Sequence, residues 1–322
     1  MSDPGERDRP ATPLTSADLE ARRAGSRRAL RRQRQLAALA VVVLALGLIA
    51  IGTSHGPSHV RPPLRADRAA GHGRPTPHGL SQPPPHPADP TIDKVLSYTS
   101  YLTVGSPRRA EVALTFDDGP GPDTPHVLAI LARYHVPATF FTVGAAVRRS
   151  PKLVRQEVRR GYAIGDHTER HAYLSRISSA AQSEEILGDA RDLEAAGAPA
   201  PQLFRPPYGA FDATTLSILR SARMLMVLWT VDTKDFSRPG TQRIVYTAIS
   251  GARPGAVILM HDGGGSRGQT VDALPRIIAR LRHRGFRFVT VPQLLRDDPP
   301  PAGQPPPHPL SGAGVPPPPR RR

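Results

Sequence analysis

Two carboxylates stand side by side at Asp117 and Asp118, directly after the apolar run VALTF and directly before Gly119-Pro120. Adjacent like charges raise each other's pKa unless a cation or hydrogen bonds compensate, so a metal ion and an arginine are their natural partners. An aspartate capping a helix in a strand-to-helix turn accounts for one of them, not for both. Farther along, HTERH sets His167 and His171 four residues apart. On a helical turn that spacing puts both rings on one face, where they can share one cation. The zinc-protease pattern HExxH is disfavoured, because Thr168 stands where its glutamate belongs and Glu169 comes one position later. Alone, HxxxH describes any two histidines on an exposed helix face. With Asp118 it becomes a set of two imidazoles and a carboxylate, which suits zinc hydrolysis and non-haem iron chemistry alike.

Other residues must decide between them. In Phe204-Arg205-Pro206-Pro207-Tyr208-Gly209, two consecutive prolines preset a rigid turn that can fix Arg205 inward and aim the Tyr208 backbone N–H. Asp232 and Asp235 follow the run LMVLWTV, and His261-Asp262 follows AVILM at an equivalent place. A carboxylate beside His261 favours its protonated form, as a general acid requires. Taken singly, His261 is as readily structural as catalytic; five polar sites, each closing an apolar run, are harder to dismiss.

These runs alternate with helical stretches. Strands are expected at 112–116, 138–143, 162–165, 202–204, 225–229, 256–260 and 286–291, and helices at 124–134, 151–160, 178–196, 212–222, 241–250 and 270–284. Repeating strand–helix units imply an α/β fold with a parallel sheet, closed or nearly closed into a barrel whose chemistry sits at the C-terminal ends of its strands.

The flanks read differently. Leu36 to Gly52 is uncharged and spans about 26 Å as a helix, near the minimum for a bilayer. Seven arginines between Arg22 and Arg34 precede it, which places the N-terminus in the cytoplasm and the rest outside. An uncleaved signal anchor is expected, with a cleaved signal peptide as the alternative. The expected organisation is a basic cytoplasmic segment (1–35), a transmembrane anchor (36–52), a Pro-rich linker (53–107), a catalytic domain (108–297) and a Pro-rich disordered tail (298–322). With no cysteine, the chain has no disulfide, thiolate ligand or thiol nucleophile, so a metal must be held by His, Asp, Glu or water. The formal charge of +16 is spread over the chain, and aromatic content is only 5%, so nucleic acid is not an expected partner. An anionic wall or membrane surface explains the charge equally well.

Taken in order, TFDDGP at 115–120, HTERH at 167–171, RPPYG at 205–209, DTKDF at 232–236 and LMH at 259–261 resemble the motifs of the polysaccharide deacetylases. This is carbohydrate esterase family four, also called the NodB homology domain. The resemblance implies a distorted (β/α)7 barrel with Asp117 as general base and Asp118, His167 and His171 holding a divalent metal. Zinc is the usual ion, with cobalt, manganese or nickel as alternatives, and no organic cofactor is implied. Arg205 would position the base and Asp235 would tune His261, the general acid. The Tyr208 backbone N–H would help stabilise the oxyanion, and Leu259 would line the acetyl pocket. Phe236 stands where the family usually has Trp, keeping an apolar groove wall without an indole N–H, and Asp166 stands where Asn commonly precedes the first metal histidine. The implied reaction is N-deacetylation of an acetylated glycan, expected to be N-acetylglucosamine or N-acetylmuramic acid in peptidoglycan because anchor and spacer would hold the domain against the wall. Chitin oligomers and acetylxylan are alternative substrates, and a wall-binding protein without turnover is the alternative class.

Overall fold

The computed structural model describes residues 89–304, and every structural statement below refers to them. Helix α1 (Pro90–Leu96) and strand β1 (Tyr101–Leu102) come first, then β2 (Glu111–Gly119), α2 (Thr124–Arg133), β3 (Thr139–Thr142), α3 (Gly144–Arg149), α4 (Pro151–Arg159), β4 (Ala163–Asp166) and α5 (Ser179–Ala195). There follow β5 (Leu203–Phe204), α6 (Ala213–Ser221), β6 (Leu225–Val227), β7 (Val231–Asp232), α7 (Thr241–Gly251), β8 (Ala256–His261), α8 (Gly268–His283), β9 (Arg287–Phe288) and α9 (Val291–Asp297). All strand pairs are parallel, in the order β1-β6-β5-β4-β3-β2-β8-β7, with β9 joined to the start of β2. Residues 225–232 connect the two sides of this path. Leu225 and Met226 pair with β5, Met226 and Val227 with β1, whereas Val231 and Asp232 pair with β8. With only residues 228–230 between β6 and β7, the sheet curls around its inner face.

Strand alternation then decides what lies inside. In β2, Val112, Leu114 and Phe116 pack outward with Leu128, Leu131 and Ile277, while Ala113 packs inward with Phe141, Leu203, Val257 and Leu259. Because successive side chains take opposite faces, Thr115 and Asp117 share the inner face with Ala113, and His261 shares it with Val257 and Leu259. The inner core is apolar at its base and turns polar where β2 and β8 end.

Several expectations are corrected. Residues 90–102, placed in the Pro-rich linker, form α1 and β1, whose Ile92, Val95 and Leu102 are buried in the inner core. The tail is tied back at its start: Asp298 Oδ2 accepts from the Arg108 and Arg109 amides at 3.0 and 3.2 Å, and Gln304 Oε1 from the Thr103 amide at 3.1 Å. The strand expected at 286–291 is only Arg287–Phe288, because Thr290 caps α9 through its side chain and Val291 begins that helix. Helix α3 was not foreseen. Among the described residues no helix is long and apolar enough to cross a membrane; the run from Leu36 to Gly52, the basic segment before it and most of the Pro-rich stretches lie outside those residues.

Candidate active site

At the ends of β2 and β8, Asp117 and His261 are register partners on the inner face. Asp117 meets Arg205, which is fully buried. Arg205 Nη1 donates to Asp117 Oδ1 at 2.7 Å and to Thr115 Oγ1 at 2.8 Å, while Nε and Nη2 donate to the Val227 and Leu228 carbonyls at 3.0 Å each. The guanidinium lies 4.1 Å from the Phe141 ring centroid, so a charged, planar group fills the middle of the curled sheet with four hydrogen bonds to its surroundings. A carboxylate held this way keeps one oxygen on arginine and the other free to face the site.

Asp118 diverges from its neighbour. Its φ is 70°, in the left-handed region that non-glycine residues seldom occupy, and the pairing register with β3 shifts between Asp117 and Gly119. This bulge turns Asp118 toward the HTERH segment. His171 Nε2 lies 3.1 Å and His167 Nε2 3.5 Å from Asp118 Oδ1, and one ligand atom from each of the three residues lies within 4.8 Å of the others. His167 Nδ1 sits 2.6 Å from the Arg205 carbonyl, which can only accept, so Nδ1 carries the proton and Nε2 presents its lone pair. Asp118 Oδ1 is buried without a hydrogen-bond partner. An orphaned carboxylate oxygen facing two imidazole nitrogens fits a divalent cation, and the donor set of two nitrogens and one oxygen fits a borderline transition metal. Burial opposes the Asp118 charge, yet His167 and His171 hold its pKa well below the usual carboxylate range.

HTERH is not a helical turn, as its spacing suggested, but a loop with φ of 68° at Thr168 and 60° at His171. Its backbone bonds point elsewhere: the Glu169 amide donates to the Glu185 carbonyl at 2.7 Å, the Arg170 amide to Glu185 Oε2 at 2.8 Å, and the Thr168 carbonyl accepts from Gly144 at 3.1 Å. Helices α3 and α5 therefore shape the loop. Behind it, Asp189 Oδ2 accepts from the His167 amide at 2.9 Å and Asp166 Oδ1 from the Thr168 amide at 2.8 Å. Burial pushes both of these carboxyls well above the ordinary range. Asp166 thus serves as a backbone acceptor that resists ionisation, as the Asn common at this position would accept without charge.

On the opposite side, His261 Nδ1 lies 2.7 Å from Asp235 Oδ1, while Asp235 Oδ2 accepts from the His261 amide at 2.8 Å and Thr270 Oγ1 at 2.6 Å. With Nδ1 taken, Nε2 is the nitrogen left for the site. Burial works against a charged ring, but the charge and hydrogen bond of Asp235, with smaller contributions from Asp118 and Asp117, carry His261 to about 9. The remaining expected residues surround this centre. Tyr208, φ 60°, holds His171 Nδ1 through its hydroxyl at 3.1 Å. Leu259 is buried on the inner face two residues before His261, and Phe236, 39% exposed, stands edge-on to the His261 ring at 5.6 Å.

Sequence reasoning missed Arg267 and gave Asp262, noted only as the neighbour of His261, no role of its own. Arg267 is buried, donates to the Gly263 and Gly264 carbonyls at 2.7 and 3.0 Å, and brings Nη2 to 3.9 Å from Asp118 Oδ2. It holds a triple-glycine loop tightly over Asp118: a Cβ on Gly263 would stand 2.1 Å from the Asp118 carbonyl. Three glycines after a strand end were the available signal. Asp262 is fully buried beneath the bulge; burial and the nearby Asp118 and Asp117 charges, eased by Thr124, push it up to about 7.

A family model for polysaccharide deacetylase matches residues 105–227. A peptidoglycan-N-acetylglucosamine deacetylase of Bacillus cereus is 41% identical over 209 residues, covering 64% of this chain and 98% of the relative. A chitooligosaccharide deacetylase of Bradyrhizobium is 41% identical over 196 residues, covering 57% and 90%. Among solved structures, the Bc1960 peptidoglycan N-acetylglucosamine deacetylase superposes with a TM-score of 0.60 at 35% identity, covering 63% of this chain and 95% of that one. A family 4 carbohydrate esterase from Streptomyces lividans, solved with acetate, gives 0.54 at 34% identity, covering 57% and 94%. With the five motifs gathered at one end of a parallel sheet and relatives matched over nearly their whole length, this chain belongs to the polysaccharide deacetylase family, hydrolases of amide bonds.

Proposed function

We propose that this protein removes N-acetyl groups from peptidoglycan, acting on N-acetylglucosamine or N-acetylmuramic acid, outside a membrane to which residues 36–52 anchor it. In this reading the curled sheet is the distorted (β/α)7 barrel of the family. The carrying observation is that two separate buried ion pairs, Arg205–Asp117 and Asp235–His261, flank the Asp118–His167–His171 cluster from opposite sides. The Arg205 pair fixes the orientation of the Asp117 carboxyl, and the Asp235 pair keeps His261 protonated, as a general acid requires.

Asp118, His167 and His171 would hold the ion, with zinc favoured over cobalt, manganese or nickel. Once bound, a divalent cation supplies positive charge that polarises the amide carbonyl and eases deprotonation of water. Asp117 takes the proton from the attacking water as oxygen bonds to the carbonyl carbon. The Tyr208 backbone N–H, on a strained turn, donates to the developing oxyanion. As the C–N bond breaks, His261 Nε2 gives its proton to the leaving nitrogen, and acetate and a free amine result. Leu259 lines the space for the methyl group, and Phe236 walls the groove. Chitin oligomers are the second substrate reading, favoured by the similarity to chitooligosaccharide deacetylases. The test is acetate release from peptidoglycan, chitin oligomers and acetylxylan, with and without chelator. Release that ignores chelation overturns the metal assignment, and release confined to chitin oligomers or xylan overturns the substrate.

A further inference from the structure

A row of rings leads away from the metal cluster. The His171 ring meets Tyr208 at 4.6 Å, Tyr208 stacks on Tyr173 at 5.3 Å and 20°, and the Arg176 guanidinium lies 4.0 Å from the Tyr173 centroid. Tyr208 is 48% exposed and Arg176 is exposed, so the row is a surface, not core. It is also held in place. Leu174 is fully buried among Ile186, Ala190 and Phe204, and the Arg176 amide donates to the Tyr173 carbonyl at 3.0 Å, closing a tight turn. That turn sets Arg176 above Tyr173. Among the described residues Arg176 has no carboxylate partner, unlike Arg170, whose guanidinium lies 3.7 Å from Glu185.

We propose that Tyr208, Tyr173 and Arg176 form a subsite for the sugar next to the one deacetylated, and that it selects a pyranose bearing a carboxylate. The proposal rests on the glycan deacetylase reading and deepens it. The C–H faces of a pyranose are apolar and lie flat on aromatic rings, so two nearly parallel tyrosines offer a platform one sugar away from the ion. An arginine stacked on the last ring keeps its N–H edge free, and that fork matches a carboxylate in two parallel hydrogen bonds. Peptide-free strands of peptidoglycan present such a group as the lactyl carboxylate of the muramoyl residue beside each N-acetylglucosamine, whereas a stem peptide converts that group to a neutral amide and chitin oligomers present none.

The experiment compares kcat/KM of the full chain on neutral N-acetylglucosamine oligomers, on muramoyl glycan strands stripped of peptide, and on strands keeping their peptide stems. For Arg176→Gln the ratio of muramoyl to neutral activity falls about 3- to 5-fold, the size of one exposed charge-assisted pair, and the preference shrinks as salt rises. Tyr173→Ala raises KM on both glycans about 5-fold, as loss of one stacking surface predicts. The same ratio is read as Kd in an Asp117→Asn background, which needs no turnover. A ratio that Arg176→Gln leaves unmoved in both assays overturns the subsite. A fall seen only with stemmed strands moves its ligand to the peptide and overturns the sugar-carboxylate assignment. Absence of acetate release from every glycan by the wild type overturns the deacetylase reading instead, while the Kd ratio still judges the subsite.

Discussion

Replacing Asp235 by Asn tests the acid half of the site. Asparagine keeps the size of the side chain, and its oxygen can still accept from the His261 amide and Thr270, which Asp235 Oδ2 binds at 2.8 and 2.6 Å. Only the charge 2.7 Å from His261 Nδ1 is lost. Burial opposes a charged ring, so without that charge His261 falls from about 9 toward its ordinary 6.5. The sign follows directly. A general acid works while protonated, so activity is lost as pH rises through its pKa, and the alkaline limb of kcat/KM moves downward. The displacement is worth about 3 kcal/mol at the proton. At pH 8 about nine-tenths of the wild-type rings carry the proton, against about 3% at a pKa of 6.5, so activity at that pH drops about 30-fold. Below pH 6 the two enzymes converge. The assay is a pH profile of acetate release with metal saturating and its content measured in both proteins. An alkaline limb that stays near 9 in Asp235→Asn, or a loss equal at every pH, would falsify the assignment of His261 as an acid set by Asp235.

Asp117→Asn should abolish turnover with metal content near wild type, whereas His167→Ala loses both; elemental analysis beside activity separates base from ligand, and equal metal loss in the two contradicts the division. Arg205→Lys should destabilise the fold by about 3–5 kcal/mol in denaturant titration, because one ammonium cannot reach the four acceptors that the guanidinium pairs and Asp117 is left buried without its fork. Wild-type stability in that variant would mean that Arg205 only orients Asp117. Leu102→Ala should cost about 2–5 kcal/mol, since Leu102 is fully buried in the inner core although it precedes the expected domain start. A change under about 0.5 kcal/mol, typical of a surface site, would show that the segment before residue 108 is dispensable.

What the sequence revealed depended on how local the cause was. VALTF-DD and AVILM-H declare a strand, its inward face and its end within a few residues, and the structure puts Asp117 opposite His261 as that pattern requires. The shape of HTERH was hidden because its backbone partners are Glu185 and Gly144, far along the chain, and four-residue spacing fits a loop as well as a helix. PTIDKVL was absorbed into a Pro-rich stretch by composition, yet Asp89 caps it, Pro90 starts it, and Ile92 and Val95 face the core. Arg267, Tyr173 and Arg176 have ordinary sequence contexts. Their roles arise only when loops after β8 and β4 fold back over Asp118 and beside Tyr208.

The adjacency of Asp117 and Asp118 is where local sequence and remote structure combine. In a regular strand, neighbours face opposite sides, so one carboxylate would enter the curl and the other would meet the outer helices. The left-handed turn at Asp118 breaks that rule, and the two groups come to share one pocket, with His167 Nε2 within 3.8 Å of Asp117 Oδ2 and 3.5 Å of Asp118 Oδ1. Their partners then separate them: Arg205 takes Asp117, the imidazoles take Asp118, and the glycine loop carried by Arg267 leaves no room for Asp118 to turn back. A side chain at Gly264, whose φ is 68°, would come within 2.3 Å of Asp118 Oδ2. The triple-glycine loop is therefore as necessary to the division of labour as the carboxylates themselves. Gly264→Ala should weaken metal retention before it affects the Asp235–His261 pair, which a parallel measurement of metal affinity and of the alkaline limb will distinguish.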